Sequence, residues 1–250
     1  MEGPSLYLAA EWLTPFIGKT ISSIKGNTKI GKERLLGKDV LDIFSWGKHL
    51  IFQFDDFAFR VHFMLYGSFE ATIKNKKVTG DYTKKNVAPR LVLYFDLGEI
   101  IFYSCSIKYL ETSQAHTLYD YSTDIMSTKW DPQKALDTLK NYQDEEIADV
   151  LLDQSIFSGV GNIIKNEVLF LVKRKPTRLI KELSTPLLKK IIKTTQLFSF
   201  QFYEWRKEFI LKKNYKIYRK SVCPICGKKV FRKKTGKRKR ISFFCLKCQK

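Results

Sequence analysis

Apolar residues near the start of the chain recur at the spacing of an α-helix, and the pattern then changes to that of β-strands. Leu6, Ala9 and Leu13 lie on one face of a predicted helix, and Pro4 stands in its first turn, where a proline is tolerated. From residue 20 to residue 103, short runs rich in Ile, Val, Phe and Tyr alternate with glycine-containing turns. This pattern predicts a β-sandwich or a flattened barrel of about seven or eight strands.

The helical period returns in the second half of the chain, up to residue 171 and again from residue 186 to about residue 211. Residues 116–131, between the two patterns, are more polar and predict a linker. We therefore expect an α+β, multidomain protein with four parts. They are an N-terminal β-sandwich with a leading helix in residues 1–115, a linker in 116–131, a helical domain in 132–220 and a small unit in 221–250.

A tight turn containing two glycines separates two apolar, helical segments within residues 151–170. Gly159 and Gly161 flank Val160, and Asn162 follows directly. Glycines permit positive φ and remove the Cβ atoms that would keep a ligand away, and a helix starting near Asn162 would direct unpaired N–H groups and its positive dipole end outward. The turn therefore predicts a phosphate site. The alternative is a helical hairpin in which glycine only permits close packing.

Four of the five cysteines lie in the last 28 residues as two Cys-x-x-Cys pairs, Cys223 with Cys226 and Cys245 with Cys248, separated by 18 residues. This spacing is typical of a tetrahedral zinc site on a β-hairpin. Because all four ligands would be thiolates, we expect one structural zinc ion per chain rather than a catalytic one. Nine of the thirteen residues from 228 to 240 are Lys or Arg. Such runs are often solvated faces, but this one is held at both ends by the cysteine pairs, and we expect it to contact nucleic acid.

The charge of the chain adds a class of partner to this picture. Its 45 Lys and Arg against 25 Asp and Glu give a formal net charge of +20, with 44% hydrophobic residues. A polyanion best explains such an excess; nucleic acid is the first choice and an anionic membrane the second. No run approaches the roughly 18 apolar residues that span a bilayer, and the first five residues lack the pattern of a signal peptide. We therefore expect a cytoplasmic protein.

These features occur together in one known family. They are the start Glu2-Gly3-Pro4, the turn Gly47-Lys48, the segment His62–Gly67, the Gly-Val-Gly-Asn turn at 159–162 and the cysteine-rich tail. In this order they resemble the formamidopyrimidine-DNA glycosylase / endonuclease VIII family of base-excision-repair enzymes, within it the bacterial, endonuclease VIII-like branch. The resemblance implies that residues 132–220 are a helix-two-turn-helix domain and that the tail is a zinc-ribbon finger. It also implies a monomer, associated with the nucleoid, that binds double-stranded DNA containing damaged bases or abasic sites.

The resemblance assigns roles to five residues outside the catalytic terminus. Lys48, Asn162 and Arg240 match positions that contact DNA phosphates around a flipped nucleotide, and cations or a helix N-terminus are suited to that task. Leu65 and Tyr66 match a loop that fills the space left by the flipped base, where an apolar or aromatic side chain recovers part of the lost stacking. From the strand pattern alone, Leu65 and Tyr66 would be placed in the core of the β-domain.

The start of the chain departs from the family pattern. The family acts through an N-terminal proline whose amine attacks the sugar C1′ to form a Schiff base, and the next glutamate serves as acid and base. Here Met1 stands in the place of that proline, Glu2 is kept, and Ser5 stands where another glutamate is common. An α-amine is partly neutral near pH 7, unlike a lysine, and a primary amine can also form an imine. We therefore expect Met1 as the nucleophile and Glu2 as the proton donor and acceptor.

Three functions remain open on these residues. The first is a DNA glycosylase with abasic-site lyase activity that removes oxidised bases, with pyrimidines favoured because the purine branch's wedge and long base-capping loop are not found near residues 102–109 and 198–218. The second is a catalytically impaired relative that binds damaged DNA without cutting it. The third, a zinc-ribbon protein that binds RNA or ribosomes, explains the charge and the cysteines but not the glycine turn or the β-domain.

Overall fold

The computed structural model describes residues 1–81 and 86–250, and these form two compact units. The first, called here the sheet unit, contains Met1 and Gly3–Asp120. The second, the helical unit, contains Tyr121–Lys250 together with Glu2. The second residue of the chain thus belongs with residues that follow it by more than a hundred positions.

The described part of the sheet unit is built on seven antiparallel strands in one hydrogen-bonded sheet, ordered β1-β6-β7-β4-β3-β2, with β5 paired to β4. The β-rich pattern of the first half is thereby confirmed. The elements are α1 (Gly3–Leu13), β1 (Ser23–Lys25), β2 (Asp42–Trp46), β3 (His49–Gln53), β4 (Ala58–Ile73), β5 (Lys76–Thr79), β6 (Leu91–Phe95) and β7 (Gly98–Leu110).

Helix α1 and the sheet enclose an aromatic core. The predicted N-terminal helix is confirmed, and Leu6, Ala9 and Leu13 are all fully buried in the same cluster as the strand residues. Within that cluster the rings of Phe52 and Phe59 stack with centroids 4.6 Å apart. Stacked aromatic pairs contribute beyond the area they bury. The helix therefore fixes the start of the chain against the sheet.

A register shift interrupts the long pairing of β4 with β7. Phe63 pairs with Cys105, and the next paired residue of β4 is Ser68, opposite Tyr103. Residues 64–67 are therefore left out of this ladder, as in a β-bulge, where extra residues of one strand bend it and re-aim its side chains. Because of this bulge, residues 64–66 do not lie in the core, where their strand pattern alone would place them.

The helical unit contains four α-helices and a two-stranded ribbon. The helices are α2 (Pro132–Leu139), α3 (Ile147–Val150), α4 (Asn162–Leu171) and α5 (Thr185–Lys207), and the ribbon strands are β8 (Phe231–Thr235) and β9 (Arg240–Phe244). The predicted order of a sheet, a helical part and a small cysteine-bearing ribbon in an α+β protein is confirmed. Among the residues described, no helix has both the length and the apolar character needed to cross a membrane.

The polar stretch between the two halves is structured on its helical side. Ile125, Met126 and Trp130 are buried in the core of the helical unit, and the ring of Trp130 lies 5.8 Å from that of Phe157. Asp131 then caps α2 by accepting hydrogen bonds from the backbone N–H groups of residues 133 and 134. The boundary between the two units lies between residues 120 and 121, so most of the predicted linker belongs to the helical unit.

Candidate functional site

The N-terminus of helix α4 holds the carboxylate of Glu2. Gly161 precedes the helix and has no side chain to cap it. The backbone N–H of Ile163 donates to Glu2 Oε1 at 2.7 Å, and that of Ile164 donates to Glu2 Oε2 at 3.2 Å. A helix N-terminus attracts negative charge because its first N–H groups have no partner within the helix. The anion site predicted from the glycine turn is present, but the expectation that these N–H groups are open to a phosphate is wrong, since the chain's own carboxylate binds them.

The two glycines of the turn are required for different reasons. Gly159 has φ +96°, a conformation that residues with a Cβ rarely adopt. Gly161 has φ −123°, which any residue can adopt. A Cβ on Gly161, however, would lie 2.4 Å from the carboxyl carbon of Glu2. Gly161 is therefore glycine because the carboxylate approaches the backbone so closely.

The other residues at the start of the chain belong to the sheet unit. The side chain of Met1 is partly buried and packs against the core of that unit. The hydroxyl of Ser5, itself buried, donates to the carboxylate of Asp81, with distances of 2.9 and 3.1 Å to the two oxygens. Ser5 stands where the family pattern has a glutamate. A carboxylate from another part of the sheet unit is thus in hydrogen-bond contact with that position.

Lys48 lies on the turn between β2 and β3, where Gly47 has φ +53°. His62 Nδ1 lies 3.3 Å from the carbonyl oxygen of Lys48. Because a carbonyl only accepts, Nδ1 carries the proton in this contact. Burial lowers the pKa of His62, and burial followed by the charge of Arg60 lowers the pKa of the neighbouring His49 to about 3. A neutral His62 therefore donates to the backbone carbonyl of Lys48, next to a second partly buried histidine, His49.

Leu65 and Tyr66 are exposed in the bulge between β4 and β7. They keep 67% and 65% of their possible accessible surface, so neither is part of the core. Gly67 closes the bulge: a Cβ there would lie 2.8 Å from the Cα of Phe63. An exposed apolar and an exposed aromatic side chain, side by side at a backbone irregularity, form a surface able to stack on another molecule.

Asn162 and Arg240 both lie in the helical unit. The carbonyl of Asn162, the first residue of α4, accepts a 2.6 Å hydrogen bond from Asn166 Nδ2. Its side-chain Oδ1 is buried and has no hydrogen-bond partner among the residues the structure describes. Arg240 is exposed at the first position of β9, opposite Thr235 of β8. The two residues are brought into one unit by the contacts between α4 and β9.

Part of the ribbon's basic run is bound to acidic residues of the helical unit. Asp149 Oδ2 accepts from the backbone N–H groups of Lys237 and Arg238, at 2.5 and 3.4 Å. The side chain of Lys237 pairs with Glu145, and that of Arg238 pairs with Asp153 at 2.9 Å. The tip of the ribbon is therefore fixed to the protein. The run is not one uniform surface presented to a partner, because two of its cations already have carboxylate partners.

The four tail cysteines come together in the ribbon. The Sγ atoms of Cys223 and Cys248 are 3.8 Å apart, those of Cys226 and Cys245 are 3.5 Å apart, and all four lie within 4.8 Å of one another. A tetrahedral zinc ion with Zn–S bonds of ~2.3 Å requires sulfur atoms about 3.8 Å apart. The cluster could therefore hold a metal ion of that kind, as the spacing of the cysteines predicts.

Three consecutive polar residues of α4 are buried, which the sequence did not predict. Lys165, Asn166 and Glu167 are essentially inaccessible to solvent. The carboxylate of Glu167 accepts hydrogen bonds from the backbone N–H groups of residues 216, 217 and 218, at 2.7–3.0 Å. Their burial could have been predicted from the fact that they are three in a row. Three successive polar side chains span about 200° of a helix, so a helix with apolar residues on both sides of them must bury at least one.

Comparison with known proteins places this architecture in a class. Residues 121–198 match the family model described as the formamidopyrimidine-DNA glycosylase H2TH domain. The chain superposes on a viral DNA glycosylase (TM-score 0.82, 23% identity) and on the formamidopyrimidine DNA glycosylase of Lactococcus lactis bound to DNA containing an AP site (TM-score 0.84, 22% identity). Both superpositions cover 100% of this chain and 100% of the other chain. The fold is therefore that of the formamidopyrimidine-DNA-glycosylase-like proteins.

Sequence relatives narrow the class to a family. The chain is 32% identical to the Endonuclease 8-like 3 protein of Xenopus laevis over 235 residues, 92% of this chain and 36% of that protein. It is 39% identical to the Endonuclease 8-like L720 protein of Acanthamoeba polyphaga mimivirus over 139 residues, 50% of this chain and 48% of that one. The chain thus spans about a third to a half of the length of these relatives. It belongs to the formamidopyrimidine-DNA glycosylase / endonuclease VIII family.

Substitution of Gly161 tests the contact between Glu2 and α4. Gly161→Ala should lower the free energy of unfolding by about 1–3 kcal/mol, because the new methyl group displaces a carboxylate that satisfies two N–H groups at the start of α4. Chemical denaturation measures the change. In a Glu2→Ala background the same substitution should cost much less, because the cap is already lost. Equal losses in both backgrounds would contradict the contact.

Acid should destabilise the sheet unit through His49. The unfolded chain binds a proton at this histidine near pH 6.5, whereas the folded protein binds it only near pH 3. His49 therefore leaves the free energy of unfolding unchanged above pH 7 and lowers it below, by ~2 kcal/mol between pH 7 and pH 5. Denaturation across this range should show that the free energy of unfolding of His49→Phe depends less steeply on pH. Removal of the exposed His116 is the comparison, and an unchanged slope in His49→Phe contradicts the assignment.

Proposed function

We propose that this protein is a base-excision-repair DNA glycosylase with abasic-site lyase activity. Its nucleophile is the α-amine of Met1, and its proton donor and acceptor is Glu2. The observation that carries the proposal is the position of Glu2, whose carboxylate is buried and fixed by two N–H donors of α4, directly after the residue that supplies the amine. A carboxylate that serves a reaction must be held in one place, and a helix N-terminus does so. The family to which the chain belongs supports the same conclusion.

The reaction begins at the sugar C1′ of the damaged nucleotide. The neutral Met1 amine forms a bond to C1′ as the bond between C1′ and the base breaks, and the base leaves with the electron pair and a proton. The C1′–O4′ bond of the sugar ring then breaks, O4′ takes its electron pair and the proton lost by the amine nitrogen, and an imine forms between C1′ and that nitrogen. Unlike the iminium of a proline, this imine must be protonated before it can accept electrons in the lyase step, and Glu2 is the donor. The same carboxylate, once ionised, accepts the C2′ proton in the elimination, in which the C3′–O bond breaks and the 3′-phosphate leaves with its electron pair.

Contacts with DNA come from residues of each unit. In the sheet unit, Lys48 neutralises a phosphate from its turn, while Leu65 and Tyr66 enter the space of the flipped base. Their high exposure supports this role. In the helical unit, Asn162 and Arg240 bind phosphates beside the lesion. Double-stranded DNA with damaged bases or abasic sites is the partner, and a monomer is sufficient to bind it.

Oxidised pyrimidines are the proposed substrates ahead of purines. Helix α5 ends at Lys207, and residues 208–220 contain one short 3-10 helix, Leu211–Asn214, rather than a long loop. The three N–H groups of residues 216–218 are bound by the buried Glu167. A short and anchored segment leaves little chain for covering a large base, which favours a smaller one.

Borohydride trapping tests this function. The mass of the purified protein is determined first, because the proposal requires that Met1 carry the free α-amine. The protein is then incubated with duplex DNA containing an abasic site or an oxidised pyrimidine, in the presence of borohydride, which reduces the imine to a stable amine. We expect a covalent adduct that peptide mass spectrometry locates at Met1, together with strand cleavage in the absence of borohydride.

Two comparisons accompany the trapping experiment. Glu2→Gln should reduce turnover by at least a hundredfold, the scale of general acid-base catalysis. Acetylation of the α-amine should abolish the adduct. If the protein binds damaged DNA tightly and gives neither adduct nor cleavage, it is instead a damage-binding relative without catalytic activity. The replacement of the family's proline by Met1 would then explain the loss of activity.

We further propose that the four tail cysteines hold one structural zinc ion. Elemental analysis should find about one zinc per chain. Removal of the metal by a chelator should weaken DNA binding at least tenfold, because the ribbon strand that bears Arg240 loses its anchor, and the folded sheet unit should remain. Near-ultraviolet circular dichroism follows the aromatic core of the sheet unit. A metal-free protein of full affinity contradicts the role given to the ribbon.

A further inference from the structure

The side chain of Lys165 is a buried cation that the proposed reaction does not use. We propose that Lys165 is a positioning residue: together with Asn166, it sets the register of ribbon strand β9 on helix α4 and so holds Arg240 at the phosphate it binds. This inference rests on the proposed function, because Arg240 has a phosphate to bind only if the protein binds damaged DNA. The contact itself belongs to the free protein.

Two successive residues of α4 bind three successive residues of β9. Lys165 Nζ donates to Ser242 Oγ at 2.8 Å and lies 3.3 Å from the carbonyl oxygen of Ile241. Asn166 Oδ1 accepts from the backbone N–H of Phe243 at 2.7 Å. Backbone carbonyl and N–H groups occur at every residue of β9, but a side-chain hydroxyl occurs only at Ser242. A shift of β9 by one residue would place Ile241 or Phe243 opposite the ammonium group and remove its hydroxyl acceptor.

A buried cation is an expensive way to hold two elements together. Apolar side chains of similar volume would attach β9 to α4 without the cost of removing an ammonium group from water. Burial, followed by the charge of Arg240, lowers the pKa of Lys165 to about 8, although the carboxylates of Asp149, Glu2 and Glu146 act in the opposite direction. What a hydrogen-bonded ion adds over apolar packing is a single register.

The same turn of α4 holds the other parts of the proposed site. The N–H groups of Ile163 and Ile164 bind the Glu2 carboxylate, and Asn166 Nδ2 donates to the carbonyl of Asn162. Residues 162 to 166 advance only about 6 Å along the helix axis. One rigid helical turn therefore carries the acid, the Asn162 contact and the attachment of the strand that begins with Arg240.

A double-mutant cycle between Lys165 and Arg240 tests the inference. Arg240→Ala should weaken binding to lesion DNA about tenfold and lower the slope of log affinity against log salt by ~0.9, the effect of one phosphate contact. Lys165→Met, which keeps the length of the side chain but removes its charge, should have the same two effects. In the Arg240→Ala background, Lys165→Met should change the affinity less than twofold. The single-turnover cleavage rate at saturating DNA should change less than threefold in Lys165→Met.

Other outcomes have separate meanings. Equal losses of affinity from Lys165→Met in both backgrounds mean that the lysine acts through general stability, and an unchanged affinity means that it positions nothing; either result overturns the inference. Should Lys165→Met fail to fold, Ser242→Ala removes the hydroxyl that accepts from Lys165, together with its 2.6 Å contact with Thr235 Oγ1, and Thr235→Val is the control for that second contact. Ser242→Ala should weaken binding two- to fivefold more than Thr235→Val, again only when Arg240 is present.

Failure of the proposed function gives a different result. In that case the unaltered protein does not prefer lesion DNA to intact DNA. The register is then measured in the free protein by hydrogen exchange. Lys165→Met should accelerate exchange of the Phe243 amide at least tenfold, while amides of the sheet unit are unchanged. Unaltered protection at Phe243 overturns the inference whatever the protein binds.

Discussion

The hydrogen bonds between Glu2 and helix α4 are the interaction on which the rest of the arrangement depends. A helix begins with N–H groups that need acceptors, and a carboxylate needs donors when it is buried. Each satisfies the other here, across 161 positions of sequence. The consequence is that the second residue of the chain is fixed within the helical unit although its neighbours belong to the sheet unit. Gly161 is the condition for this contact, since only a residue without a side chain leaves room for the carboxylate.

The strong positive charge of the chain is distributed more unevenly than its sequence indicates. The ribbon contains the densest run of cations, yet Asp149, Glu145 and Asp153 bind its tip through backbone and side-chain contacts. Exposed ion pairs of this kind contribute little stability individually. Their effect here is geometric, because they fix the turn between β8 and β9. Arg240 consequently lies on a strand, β9, whose position is defined.

Local chemistry explains what could be predicted from the sequence. The helix at residues 3–13, the β-rich first half and the cysteine cluster each follow from residues close together in sequence, where spacing alone determines which side chains share a face or a ligand. The glycine turn was also visible, and the prediction that it attracts an anion was sound. The anion bound there is the Glu2 carboxylate, however, and not the phosphate that the sequence predicts for these N–H groups.

The sequence by itself thus determined the class of fold and the family, and it supplied the groups that we propose for the site. Only the tertiary structure decided how those groups are held: Glu2 on α4, the exposure of Leu65 and Tyr66 at a bulge, and the grip of Lys165 on β9. Each of these depends on the register between elements distant in sequence. Local propensity does not contain that register, since it is set when strands and helices pack and every buried donor, acceptor and charge must find a partner.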